Sequence, residues 1–282
     1  MDSLYEVWKS NSKIGNTKWS INGSSVAGIR TSFYIPELKI LLDAGNQNFN
    51  KLAEIFITHC HADHVASLPL IILENVNSKI KTNIYCPQES SKFIENMVDA
   101  FLACNYNNYT VPKKYYNFIP MSPSYLTSKT LNGQSISIRS YYSDHTVPTL
   151  SYGFVEEKKK LKEEFKELSG PEIVTLKKEG VEITEIKKVR KLVFCGDTTA
   201  KIFRRNPDIL LYDSIIVECT FFEDDELDTA RERKHMHWSD LKEVIIENPN
   251  VNFYLIHISA KYHGTDNFSE KYFGGLTNVF IL

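Results

Sequence analysis

His59-Cys60-His61-Ala62-Asp63-His64 sets three imidazoles and a carboxylate within six residues, directly behind the apolar run Glu54-Ile55-Phe56-Ile57-Thr58. Neutral imidazole nitrogen and carboxylate oxygen are ligands that Zn²⁺ takes at roughly 2.0–2.2 Å. On a loop leaving a strand, His59 and His61 can grip one ion while Asp63 and His64 grip another. Two ions held ~3.5–4 Å apart can share a water and turn it into hydroxide near neutral pH. The chain has only eight histidines, so three at one strand end mark a site rather than a surface accident. Cys60 lies between two of the ligands, but the His-x-His alternation turns its side chain the other way.

A dinuclear site needs further ligands, and three more apolar runs end in suitable residues. Tyr141 to Asp144 leads to His145, Leu192 to Gly196 leads to Asp197, and Phe253 to Ile256 leads to His257. Gly196 permits a sharp backbone bend that would aim the Asp197 carboxylate. The resulting assignment puts His59, His61 and His145 on the first ion and Asp63, His64 and His257 on the second, with Asp197 bridging. Asp43, at another strand end, is placed to orient a ligating imidazole from behind. Glu218 ends the run Ile215-Ile216-Val217, where a buried carboxylate is expensive unless paired. Paired with His235 of Lys234-His235-Met236-His237, it would hold an imidazole ready to protonate a leaving oxygen.

These residues need elements to position them. The N-terminal third reads as strands joined by tight turns: Val26 to Arg30, Thr31 to Ile35, Lys39 to Leu42, then the run before the cluster. Helices are expected from Ser67 and over Ser90 to Ala103, the second with Phe93, Ile94, Met97, Val98, Phe101 and Leu102 at helical spacing. Tyr106 to Pro123 reads as loop or weak structure, Ser135 to Tyr141 as a half-buried strand with Ser151 to Val155 as its partner. Glu156 to Lys191 interleaves lysine and glutamate and is broken by Gly170-Pro171. Strands resume at Lys191 to Phe194 and Ser214 to Val217, and a helix from Ser239 to Glu247 and a strand from Val251 to Ile256 follow. Asn267 to Leu282 reads as a last helix or strand. Strands and helices twice over predict two β-sheets packed face to face with helices outside, an α/β fold.

Composition bounds the rest. At 282 residues the chain can bury one full core, and its 42% hydrophobic and 24% charged residues are ordinary for a globular protein. The N-terminus has no apolar stretch of signal-peptide type and no run is long enough to span a bilayer, so a soluble protein is expected. Five cysteines without a C-x-x-C pair point to a reducing, intracellular compartment, with cytoplasm or nucleus as the expectation. A net charge of −2 neither announces nor excludes a nucleic-acid binder.

The motifs resemble those of the metallo-β-lactamase superfamily and, within it, of tRNase Z, the 3′-tRNA-processing endoribonuclease. They are Asp43 in Leu41-Leu42-Asp43-Ala44-Gly45, His59 to His64, His145, Asp197 in Gly196-Asp197-Thr198, and His257 before Ser259-Ala260-Lys261-Tyr262. Their order is the family's and they cover almost the whole chain; Leu161 to Thr184 resembles the short form found in plants. The resemblance implies a four-layer αβ/βα sandwich over residues 1–282, two Zn²⁺ per subunit, and cleavage of precursor tRNA just after the discriminator base. It implies that Asp63 also accepts the attacking water's proton, and that Glu218 and His235 assist the leaving group. His235 stands 22 positions before His257, as in the family, whereas His237 falls where relatives carry a hydroxyl. It also implies a homodimer, no membrane partner, and an exosite-like arm that is short and Lys-rich here, residues 156–190. In that arm Lys158, Lys159, Lys160 and Lys162 would contact RNA phosphates. The nearest rival is a phosphodiesterase of the same fold acting on a cyclic nucleotide or another small molecule.

Overall fold

The apolar runs pair into two seven-stranded sheets, one from each half of the chain. A computed structural model describes residues 12–15, 17–47, 51–108, 110 and 112–282. The first sheet holds β1 (Ser12–Lys13), β2 (Ser20–Val26), β3 (Arg30–Ile35), β4 (Ile40–Leu42), β5 (Glu54–Phe56), β6 (Thr82–Pro87) and β7 (Tyr116–Met121), side by side in chain order. The second holds β8 (Leu126–Leu131), β9 (Gln134–Ser143), β10 (Thr149–Leu161), β11 (Thr184–Phe194), β12 (Ser214–Glu218), β13 (Asn252–Ile256) and β14 (Val279–Ile281) in the same manner. Each sheet begins with four antiparallel strands and continues with parallel pairings. Parallel neighbours need crossover connections; beyond the β4–β5 pair these are supplied by α1 (Ala62–Val65), α2 (Leu68–Asn77), α3 (Ser91–Tyr106), α5 (Lys201–Arg205), α6 (Leu227–Arg233), α7 (Trp238–Glu247) and α8 (Phe268–Phe273), while α4 (Gly170–Lys178) caps the β10–β11 ribbon.

Three buried clusters define four layers. Phe33, Phe56, Tyr152, Phe154, Phe194 and Tyr254 fill the space between the sheets. Leu68, Ile72, Ile94 and Val98 of α2 and α3 cover the outer face of the first sheet, and Leu241, Ile245 and Phe273 of α7 and α8 cover that of the second. The layers run helix, sheet, sheet, helix, the αβ/βα order. Across the interior, the Tyr152 hydroxyl donates to the Ile57 carbonyl at 2.7 Å and the Leu150 N–H to the Thr58 carbonyl at 3.0 Å, so the end of β10 is tied to the segment that carries the histidine cluster.

Several elements depart from expectation. Val26 to Arg30 is not one strand, since its middle residues form the β2–β3 turn. Tyr116–Met121, expected as loop, is the edge strand β7, where Pro120 is tolerated because one side of the ladder is unpaired. Over Glu156 to Lys191, where no strand was expected before Lys191, β10 and β11 continue outward as a ribbon paired from Tyr152–Phe194 to Leu161–Thr184. Gly170-Pro171, which breaks the Lys/Glu-rich stretch, begins α4, with a Ser169/Glu172 capping box and Pro171 in its first turn. No residue of α4 is buried.

Candidate metal centre

Every side chain of the centre stands at or just beyond the carboxyl end of a strand, the usual place for a site in such sheets. His59 to His64 follow β5 and form the entry to α1; His145 follows β9, Asp197 follows β11, Glu218 is the last residue of β12 and His257 follows β13. Asp43 and His257 both take left-handed backbone, φ 55° and 57°, which non-glycine residues adopt at a cost. The His257 N–H donates to the Ser25 hydroxyl at 3.0 Å, which helps hold that conformation.

Three overlapping ligand groups result, the third joining Asp197, His235 and His257. His59, His61, His145 and Asp197 offer atoms that all lie within 4.8 Å of one another, and so do those of Asp63, His64 and His257. Asp197 lies between the groups: its Oδ2 is 3.7 Å from His59 Nε2 and 3.4 Å from His257 Nε2, and its Oδ1 is 3.5 Å from His64 Nε2. His235 packs at the edge, its Nδ1 3.8 Å from Asp197 Oδ2.

The surroundings fix which ring nitrogens face inward. Asp43, fully buried, accepts from the Thr58 N–H at 2.7 Å, the Thr58 hydroxyl and His64 Nδ1 at 2.8 Å. The Thr58 oxygen is then free to accept from His59 Nδ1 at 3.1 Å. His145 Nδ1 donates to the Lys234 carbonyl at 3.0 Å, and His257 Nδ1 to the Thr220 hydroxyl oxygen at 2.9 Å. Four imidazoles thus commit Nδ1–H outward and turn Nε2 lone pairs inward, the arrangement that supports metal-ligating histidine.

These residues fit divalent cations. His64 Nε2 is buried without a hydrogen-bond partner, an orphaned acceptor between Asp63 and Asp197. His61 Nδ1 stands 3.1 Å from His59 Nε2 and 3.2 Å from His145 Nε2, more nitrogens than one proton can satisfy. Burial pulls the His64 imidazole down, yet Asp197 and Asp43 outweigh it and hold its pKa well above the histidine range. The centre draws positive charge, and a divalent ion bound by these donors supplies it.

Beside these groups lies a carboxylate–imidazole pair. Glu218, fully buried, accepts from His235 Nδ1 at 2.8 Å, from the Thr198 N–H at 2.8 Å and from the Thr220 hydroxyl at 2.6 Å. Burial opposes charge on His235, but Glu218 and then Asp197 prevail and push its pKa up to about 9. His237 is elsewhere: buried, it caps α7 by accepting from the Ser239 N–H, and its Nε2 faces the Glu223 carbonyl at 2.9 Å. Thr58, Thr198 and Thr220 escape a search for ligand types; the Glu218-x-Thr220 spacing is the one signal that could have placed two polar groups on one face. Gly196 serves close packing rather than a bend, since a Cβ there would sit 2.6 Å from Thr58 Cβ.

The fold and the centre define a metallo-β-lactamase-fold protein. The metallo-β-lactamase fold protein YhfI from Bacillus subtilis superposes with a TM-score of 0.60 at 14% identity, covering 93% of this chain and 95% of that one. The short form of human tRNase Z superposes with a TM-score of 0.56 at 16% identity, covering 92% and 94%.

Within that class the sequence resembles tRNase Z over most of its length. It is 29% identical to the chloroplastic tRNase Z TRZ2 of Arabidopsis thaliana over 255 residues, 87% of this chain and 69% of that protein. To tRNase Z TRZ1 of the same plant it is 27% identical over 250 residues, 86% of each. A family model described as Anti-Pycsar protein Apyc1 matches residues 36–162. Among the described residues no helix is long and apolar enough to cross a membrane.

Proposed function

We propose that the chain is a metal-dependent endoribonuclease that removes the 3′ trailer from precursor tRNA by hydrolysing the phosphodiester after the discriminator base. The observation that carries this is the seven-residue ligand set beside a Glu218–His235 pair, in a chain similar to tRNase Z over most of its length. Two Zn²⁺ ions per subunit would be held there, one by His59, His61 and His145, the other by Asp63, His64 and His257, with Asp197 available to both. Ions bound there would supply a water of lowered pKa and positive charge beside the scissile phosphate.

The chain's own residues do the rest. Asp63, with Oδ2 3.1 Å from His257 Nε2 and 2.9 Å from the Gly28 N–H, is held to accept the proton of the attacking water. The water oxygen bonds to phosphorus and the bond from phosphorus to the 3′-oxygen breaks. His235, protonated through Glu218, delivers a proton to that oxygen and leaves a 3′-hydroxyl on the tRNA and a 5′-phosphate on the trailer.

The β10–β11 ribbon is the exosite-like arm. Lys159 and Lys160 are exposed and Lys158 is half-buried beside Glu156 at 2.8 Å, so with Lys162 they offer modest phosphate contacts that position RNA without reading its sequence. The assembly is a homodimer, one subunit's arm reaching tRNA bound by the other. A second copy has a face to pack on: α3 leaves Phe93 and Phe101 71% and 40% exposed, four residues to either side of Met97. A twofold axis at Met97 would set Phe93 of each copy against Phe101 of its mate. Free cysteines fit a reducing compartment, cytoplasmic or nuclear.

Incubation with a 5′-matured, 3′-extended precursor tRNA tests the reading, with His64→Ala alongside. A single cut after the discriminator, lost in the variant, is expected. No cut while bis(p-nitrophenyl) phosphate is still hydrolysed would replace it with a small-molecule phosphodiesterase.

A further inference from the structure

A cleft of about 540 Å³ opens beside the centre and includes His235 in its lining. Its cations come from α5 (Lys201, Arg204) and from the end of α6 (Arg231, Lys234); its α7 side, with Asp240, Glu243 and Glu247, is acidic. Anion contact therefore falls to the α5 side and Lys234.

There the charges are tied to the centre. Asp144, the residue before His145, accepts from the Thr199 hydroxyl at 3.0 Å and lies 3.1 Å from Lys201 Nζ and 3.3 Å from Lys234 Nζ. Lys234 Nζ also donates to the His145 carbonyl at 3.2 Å, while the Lys234 carbonyl accepts from His145 Nδ1. Lys234 takes left-handed backbone, φ 53°, a strained conformation kept where the surroundings over-determine it. One carboxylate cannot neutralise two ammonium groups, and neither lysine pairs with another carboxylate among the described residues. Their side chains are 67% and 42% exposed. The result is a net positive point, open to solvent, locked to a metal ligand and adjoining the residue that protonates the leaving oxygen.

We infer that Lys201 and Lys234, spaced by Asp144, bind one RNA phosphate: that on the 5′ side of the discriminator nucleotide. This rests on the proposed tRNA reaction, because that reaction makes the discriminator's 3′-oxygen the leaving group. His235 faces that oxygen, so the nucleotide bearing it lies on the cleft side, and its own 5′-phosphate is the next anion along the strand. The contact holds the leaving-group nucleotide in register and reads no base.

The test pairs Lys201→Ala with precursor tRNA carrying one neutral methylphosphonate at that 5′ position. With unmodified precursor, Lys201→Ala should raise KM roughly fivefold, the effect of an exposed charge contact near ~1 kcal/mol, and reduce the salt slope by about one. With the neutral linkage the wild type should show the same rise and the variant no further one, while Lys201→Arg restores the unmodified KM. Additive losses, coupling instead to a methylphosphonate on the trailer side, or an unchanged KM in Lys201→Ala would each overturn the assignment. Failure of the wild type to cut unmodified precursor would refute the underlying reaction instead.

Discussion

At the scale of single residues, the ligand types and their order were legible because metal chemistry admits few side chains. Three imidazoles and an aspartate in six positions, with His145, Asp197 and His257 at later strand ends, stand out from any background. What surrounds them was not legible, since a hydroxyl reveals nothing until its neighbours are known. Thr220 joins His257 to Glu218, and Glu218 joins that network to His235. The 22-residue spacing to His257 favoured His235 over His237, and the structure agrees: His235 pairs with Glu218, while His237 caps α7. The pair yields a pH prediction. A general acid acts in its protonated form, so activity falls as pH rises through its pKa, which Glu218 helps to raise to about 9. Glu218→Gln removes that support, lowers the His235 pKa, and should move the alkaline limb of the kcat profile to lower pH. An alkaline limb that stays in place in the variant would mean that another group donates the proton.

At the scale of elements, strands with one covered face were readable and those without were not. Ser135 to Arg139 alternates because Ile136 and Ile138 face the core between the sheets while Ser135 and Arg139 stay more open. The outer parts of β10 and β11 have no covered face, so Lys and Glu fill both sides and periodicity vanishes. β7 escaped for the opposite reason: as an edge strand it tolerates Asn117 and Pro120, residues that ordinarily argue for a loop. Gly196 connects element to site. A methyl group there meets the buried, β-branched Thr58 at 2.6 Å, so Gly196→Ala should cost about 1–3 kcal/mol through overpacking. It should also displace Asp197 and weaken metal binding. Thermal unfolding with and without Zn²⁺ would register both; an unchanged midpoint and an unchanged Zn²⁺-dependent shift would show that the β11 end has room to spare.

At the scale of the molecule, the face-to-face sandwich followed from the alternation of strands and helices, but its internal likeness did not. Both halves run antiparallel first and parallel afterwards, a repetition of topology that leaves no repeat in the residues. The outer face of α3 illustrates another limit. Phe93, Met97 and Phe101 looked like core at helical spacing, whereas Phe93 and Phe101 face solvent in the single chain. If two copies meet there, Phe93→Asp with Phe101→Asp should yield a monomer by light scattering and weaken precursor tRNA binding without abolishing hydrolysis of bis(p-nitrophenyl) phosphate. A variant that stays dimeric would place the interface elsewhere.

The central claim is that a water, not the RNA's own 2′-hydroxyl, attacks the phosphate after the discriminator and expels the 3′-oxygen. Cleavage of a 3′-extended precursor in water carrying a heavy oxygen isotope, with mass analysis of both fragments, tests it most directly. One heavy atom on the trailer's 5′-phosphate and an unlabelled 3′-hydroxyl on a tRNA ending at its discriminator are expected. A 2′,3′-cyclic phosphate on the tRNA fragment, or label in its 3′-hydroxyl, would contradict it.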